Sequence, residues 1–198
     1  DNEENDFFGY DVSISGDYAV IGAPEEDTAS NNAGAAYIFV RSGTSWSQQV
    51  KIVTSEASVN DYFGLSVDIS LDRVLIGMYS DDLGGNESGS AYYYKRDGTS
   101  WSLEKIFVAS DAEAYDYFGF SAAIDSNYII IGAPVDEEPG GYVNSGSAYM
   151  YRYSPDLYPI ATLEHDDDVG HYNSLIQVDD DTYALAYQGN SSTGYISA

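Results

Sequence analysis

The sequence predicts an all-β fold: a β-propeller segment of four-stranded antiparallel blades, about three and a half blades in 198 residues. Three observations carry this. First, a block of about 55 residues recurs. Phe8-Gly9, Phe63-Gly64 and Phe118-Gly119 stand at that interval, as do Ile21-Gly22, Ile76-Gly77 and Ile131-Gly132. Second, each block holds four short apolar or aromatic runs divided by turns rich in Gly, Asn, Ser and acid. Third, 20 Tyr and 19 Gly favour strands and turns, and no helical periodicity runs through the chain. A repeat of this length is one sheet that cannot bury its own faces, so successive units must stack.

The first run of a block reads "GYDVSIS" and alternates loosely. The second, "YAVIGA", "RVLIGM" or "YIIIGA", is continuously apolar, as expected of a strand covered on both sides. The third, "GAAYIFVR", "GSAYYYKR" or "GSAYMYRY", is aromatic. The fourth, "WSQQVKIV" or "WSLEKIFV", is the most polar and belongs at the outside. These runs divide the chain into one propeller segment with units at about 1–55, 56–110, 111–165 and 166–198, the last incomplete. The third unit carries two extra residues, placed most easily in "VDEEPGGYVNSG". Opening on "DNEENDFFG" without Met, the chain reads as a processed or excised piece.

Charge narrows the partners. Thirty-three acids against seven bases give a net charge of −26, which repels nucleic acid and anionic membrane surfaces. No apolar run reaches the roughly 18 residues of a membrane-spanning helix, so membrane insertion is not expected. Solubility in high salt is the plain reading of such acidity. Cys is absent, which leaves no disulfide framework.

Propeller connectivity sorts these charges. Loops after the second strand and links between blades share one face, and two thirds of the acids fall there. None of the seven bases does. On this face Glu26, Asp81 and Asp136 are equivalent, as are Asp27, Asp82 and Glu137. Carboxylates among Gly and Asn are candidate cation ligands, with calcium as the ion they would take. The plainer reading is that they solvate long loops. Two Asn-x-Ser sequons, at Asn86 and Asn190, map to the same face as glycosylation candidates.

Other constellations read as structural. Asp6, Asp61 and Asp116 precede each Phe-Gly by one or two residues, where an Asp accepts backbone N–H bonds in a turn. His165 and His171 stand among acids in "EHDDDVGH" without a fixed spacing and read as a solvated loop. Tyrosines of the third runs (Tyr92, Tyr93, Tyr94, Tyr149, Tyr151, Tyr153) pack between blades with wet hydroxyls, and Trp46 and Trp101 anchor one blade on the next. No nucleophile elbow, phosphate-cradling loop or Cys cluster is present, so catalysis is not expected.

The three in-register copies, "FFGYDVSIS…AVIGAP…GAAYIFVRSGTSW", "YFGLSVDIS…VLIGMY…GSAYYYKRDGTSW" and "YFGFSAAID…IIIGAP…GSAYMYRY", resemble FG-GAP repeats, the units of the integrin α-subunit propeller and of many secreted bacterial and protist proteins. The likeness spans nearly the whole chain and fades after about residue 165. It implies a seven-bladed ring, a place outside the cell or at its surface, and adhesive or structural binding. Partners would be other protein chains or further blades of a parent chain. Two other roles follow from the resemblance: a glycan-binding lectin, and an accessory propeller on a secreted enzyme. Integrins keep calcium in a long acidic loop between the first two strands. Here that loop shrinks to "SGD", "SLD" and "DSN", too short to wrap the six to eight oxygens calcium takes. The short-loop pattern is closer to the bacterial and protist branch.

Overall fold

The computed structural model describes residues 5–136 and 145–152 with their side chains, and the backbone of strands at 158–164, 174–179, 182–187 and 195–197. Four antiparallel sheets follow one another along the chain, three of four strands and a last one of three. Blade one comprises β1 (Val12–Ser15), β2 (Tyr18–Ala23), β3 (Ala35–Ser42) and β4 (Ser45–Ile52). Blade two holds β5 (Val67–Ser70), β6 (Arg73–Met78), β7 (Ser90–Asp97) and β8 (Ser100–Phe107). Blade three holds β9 (Ser121–Asp125), β10 (Tyr128–Ala133), β11 (Ser147–Arg152) and β12 (Tyr158–Glu164). The fourth sheet holds β13 (Ser174–Asp179), β14 (Thr182–Tyr187) and β15 (Tyr195–Ser197). In each sheet strands pair in sequence order.

Register repeats with the sequence. Ile21 faces Tyr37, Ile76 faces Tyr92 and Ile131 faces Tyr149. The third and fourth strands of each complete blade slip by one residue at the same place, between Ile38 and Phe39, Tyr93 and Tyr94, and Met150 and Tyr151. Such a bulge sharpens the twist of the outer strands. First and second strands join by two-residue turns, with φ of 59° at Gly16, 58° at Leu71 and 51° at Ser126. These primed-type turns match the right-handed twist of the strands they join.

Two cores lie between blades. Val20, Ala36, Ile38 and Ile52 of blade one meet Phe63, Val67, Ile69, Val74, Ile76 and Tyr92 of blade two. Leu75, Ala91, Tyr93 and Phe107 on the other side of blade two meet Phe118, Ile124, Ile129, Ile131 and Tyr149 of blade three. Only β6 is covered almost throughout, as the continuous apolar runs predict. Strand β2 is mixed, and Ile130 of β10 stands 37% exposed. Blade two is the one blade whose two sides both meet described side chains of a neighbour.

The Phe-Gly and Gly-Ala glycines hold the blades at contact distance. A Cβ on Gly22 would run into the carbonyl oxygen of Gly64, and one on Gly64 into that of Ala35. Gly77 and Gly119 repeat the arrangement between blades two and three. Gly64 also sits at φ 92°, where a side chain is strained. Its N–H donates to Gly77 O at 2.9 Å, tying the motif to its own second strand. The first strands add a side-chain ladder. Asp11 accepts from Val67 N at 2.8 Å and Asp68 from Ile124 N at 2.7 Å, each from the next blade. Ser15 and Ser70 accept from Leu71 N and Ser126 N in the same way.

Trp101 anchors blade two on blade one. Its ring meets Tyr18 edge-on at 6.1 Å, its indole N–H donates to Gln49 at 2.9 Å, and Arg96 lies 4.2 Å over Tyr18. Trp46, at the same position of blade one, is 41% exposed and makes no such joint.

Candidate functional site

The loop face is built by interleaving. The link that opens blade two lies along the loop after β2, with Asn60 N donating to Asn31 O, Tyr62 N to Asn32 O and Phe63 N to Ala33 O. Between blades two and three, Tyr115 N donates to Asn86 O and Phe118 N to Ser88 O. To reach these carbonyls the chain takes positive φ at Asn60 and Tyr62, and again at Tyr115 and Tyr117. Loops and links therefore share one rim among the described residues.

The acids do not sit on this rim as the sequence suggests. Glu26, Asp81 and Asp136 are 3%, 3% and 6% exposed. Each closes its own loop: its carbonyl accepts the N–H of Gly34, Gly89 or Gly146. Each side chain then bonds inward. Glu26 accepts from Thr28 and from Lys51 Nζ at 2.6 Å. Asp81 accepts from Ser90 Oγ and Leu83 N, and Asp136 from the Tyr149 hydroxyl at 2.7 Å. Asp27 and Asp82 stay exposed and cap the loop, accepting from Asn32 N and Glu87 N, both at 2.7 Å. Solvation of loops thus describes Asp27 and Asp82, and not Glu26, Asp81 or Asp136. Glu137, Asn190, His165, His171 and Tyr153 lie outside the described residues.

A second buried acid stands twenty residues earlier in each unit. Asp61 is 4% exposed and accepts from Ser58 N at 2.6 Å; Asp116 is 2% exposed and accepts from Glu113 N. These are the turn-capping bonds expected of an Asp before each Phe-Gly. Burial holds the Asp61 carboxyl above the usual range, and the charges of Asp81 and Asp82 add to that. Asp81 and Asp116 are likewise raised by burial, against the bonds they accept. Glu26 differs. Burial pushes it up, but Lys51 and Thr28 outweigh this and hold it below its ordinary value. Blade two has Ile106 where blade one has Lys51, so Asp81 lacks that counter-charge.

The tyrosine hydroxyls are not left to water. Tyr149 lies 2.8 Å from Asp111 and 2.7 Å from Asp136, and Tyr92 reaches Asp81 at 3.4 Å. Tyr94 and Tyr151 are pushed up by burial to about 12. The wet hydroxyls expected from the sequence are corrected to carboxylate-bonded ones for Tyr92 and Tyr149. The 55-residue interval between acids, and the Tyr on the paired strand, were the signals for these contacts.

Calcium does not fit the described residues. Turns between first and second strands hold two residues each, and no group of three or more His, Asp or Glu side chains is disposed to hold a metal ion among those described.

What the rim does present is a cleft of about 350 Å³ on blade two. It is lined by Asn60, Asp61, Tyr62, Tyr79, Asp82 and Glu87 among others, with the Asn86 sequon at its edge. Tyr62 and Tyr79 stack with centroids 5.4 Å apart, and Tyr117 meets Tyr79 edge-on at the same distance. The Tyr117 hydroxyl donates to Glu87 at 3.3 Å. Burial, then Glu87, pushes the Tyr117 hydroxyl up. An aromatic wall beside amides and carboxylates can pack a flat apolar surface and bond its polar edge.

A family model of the FG-GAP repeat matches residues 1–39, 46–94 and 101–151. The chain belongs to the FG-GAP repeat family. Its four-stranded sheets are therefore propeller blades, and the Phe-Gly and Gly-Ala pairs that name the repeat are the glycines packed at each blade joint. No curated protein matches the chain.

Proposed function

We propose that this FG-GAP segment is a non-enzymatic binding module of adhesive or structural type, working outside the cell or at its surface, with the loop rim as its ligand face. The observation that carries this reading is the cleft beside Tyr62 and Tyr79, where aromatic rings, amides and carboxylates converge on the one face built from loops. A second reading is favoured by the same stack: a glycan receptor, since a sugar ring packs its C–H face on tyrosine and its hydroxyls on Asn and Asp. One experiment tests both. The purified chain is passed over panels of extracellular proteins and of glycans, beside Tyr79→Ala. Binding lost in the variant, with unchanged melting, supports the rim as ligand face. Equal binding by both chains sinks it, and the responding panel chooses between the readings.

A further inference from the structure

We propose that the cleft on blade two takes a sugar unit carrying a free ammonium group, a choice that rests on the glycan reading of the loop rim. The cleft is built where blade two departs from its own repeat. After their second strands, blades one and three read Pro24-Glu25 and Pro134-Val135; blade two reads Tyr79-Ser80. Tyr79 stacks on Tyr62, and Tyr117 and Phe120 meet its ring edge-on at 5.4 and 5.7 Å. Proline has no aromatic ring, so this cluster depends on Tyr79. The walls are the link that opens blade two, up to Tyr62, and the loop from Tyr79 to Glu87. Both are internal to the chain and depend on neither of its ends.

The lining is polar and incompletely bonded. Ser80 lines the cleft at 7% exposure, and no described residue bonds to its hydroxyl. A hydroxyl that deep without a partner is costly until something polar reaches it. Asp61, 4% exposed, accepts from Ser58 N through Oδ2, and no described donor reaches its Oδ1. Asp82 and Glu87 each use one oxygen, accepting from Glu87 N and from the Tyr117 hydroxyl, and keep the other. No Lys, Arg or His is among the described lining residues. Three carboxylates with spare oxygens call for a cation that carries N–H donors. An ammonium alone leaves the donors of the cleft unused. Asn60 gives its amide oxygen to Asn32 at 2.8 Å, so its NH2 is free to donate, as is the Ser80 hydroxyl. Sugar hydroxyls accept from these, and the C–H face of the ring packs on tyrosine. About 350 Å³ lies in the range of small-ligand sites. An amino sugar uses acids, amide and rings together. N-acetylation removes its charge and sets a carbonyl among carboxylates.

Calorimetric titration of the 198-residue chain tests this, with short glucosamine oligosaccharides beside their N-acetylated forms, in mildly acid buffer. The free-amine form should bind and the acetylated form should not, with affinity falling as NaCl is added. Tyr79→Pro, which restores the residue of the other blades, and Glu87→Gln should each lower affinity at least about tenfold. Glu104→Gln removes the same charge from exposed β8 and should change nothing, which separates the cleft from general attraction to a chain of −26. Ser80→Ala replaces Tyr79→Pro if the latter lowers the melting temperature. Equal binding of both sugars overturns the ammonium and leaves the glycan reading standing. Free-amine binding that none of the cleft variants weakens overturns the site. No binding of either sugar overturns the proposal, and the rim is then decided by its protein panel alone. A lysine peptide that binds tighter than the amino sugar, and is lost in the same variants, makes the occupant a protein and overturns the sugar.

Discussion

Phe8 and Phe63 occupy the same place in successive repeats and make the same local contact. Phe8 meets Tyr37 edge-on at 5.2 Å, and Phe63 meets Tyr92 at 5.3 Å. Yet Phe8 is 54% exposed and Phe63 fully buried. Val12 and Val67, Ile14 and Ile69, and Trp46 and Trp101 differ in the same direction. Each blade folds its own sheet with its own register. The hydrophobic gain comes from the neighbour, and among the described residues blade one meets a neighbour on one side only. A single blade's stability is thus largely its interfaces.

The sharpest way to break that contrast is at the glycines. Gly9 and Gly64 have nearly equal φ, 94° and 92°, but a Cβ on Gly9 meets nothing within 4 Å, whereas on Gly64 it strikes Ala35 O. Gly9→Ala should cost only backbone strain, about 1–3 kcal/mol. Gly64→Ala adds overpacking of about 1–3 kcal/mol at the joint. Urea titration of both variants measures the difference; equal losses would mean that the blades do not meet at Gly64.

Truncating phenylalanine tests the same contrast. Phe63→Ala should cost about 3–5 kcal/mol and Phe8→Ala less than about 1 kcal/mol. If Phe8→Ala is as harmful, its face is covered in solution.

The acids give a smaller contrast. Lys51→Met leaves the Glu26 carboxylate buried without its cation and should cost about 1–3 kcal/mol, read by thermal melting. Ile106→Lys should supply the missing base beside Asp81 and raise the melting temperature at neutral pH.

Titration separates the blades further. Asp61, Asp81 and Asp116 are raised above 3.8, so the folded chain holds protons that the unfolded chain releases. Their penalty at neutral pH is relieved as pH falls through the folded values, fully so below 3.8. Relief of net negative repulsion acts in the same direction. Glu26, held below 4.5, works oppositely: its stabilisation is present above 4.5 and lost as pH falls through its depressed value. Melting temperature should therefore rise from pH 7 towards mildly acid conditions before it falls. A steady decline from neutrality would contradict the raised values. The smallest effect expected is from EDTA, which should leave the melting temperature unmoved; a drop reversed by calcium would show a site beyond the described acids.

Much of this was legible in the residues because the repeat states it three times. Phe-Gly, Gly-Ala, the turns and the strand order all recur at one interval, and a pattern that packs once packs again. The loop acids were harder. Glu26 and Asp27 are neighbours of the same chemistry, and nothing in the pair says which turns inward. Pairing of β2 with β3 and of β3 with β4 settles it, because together they bring Gly34 N–H and Lys51 to Glu26. The cleft was invisible for the same reason, since Tyr62 and Tyr79 stand on segments that only the sheet brings side by side.

Period, composition and turn chemistry alone determined that this chain forms four-stranded blades with an acid-rich loop rim, because those are local properties repeated in each unit. Which carboxylates are buried, which tyrosines they hold and which side of a blade stays open were decided by tertiary structure. Burial depends on what lies across the joint, and a residue's own sequence neighbourhood does not contain it.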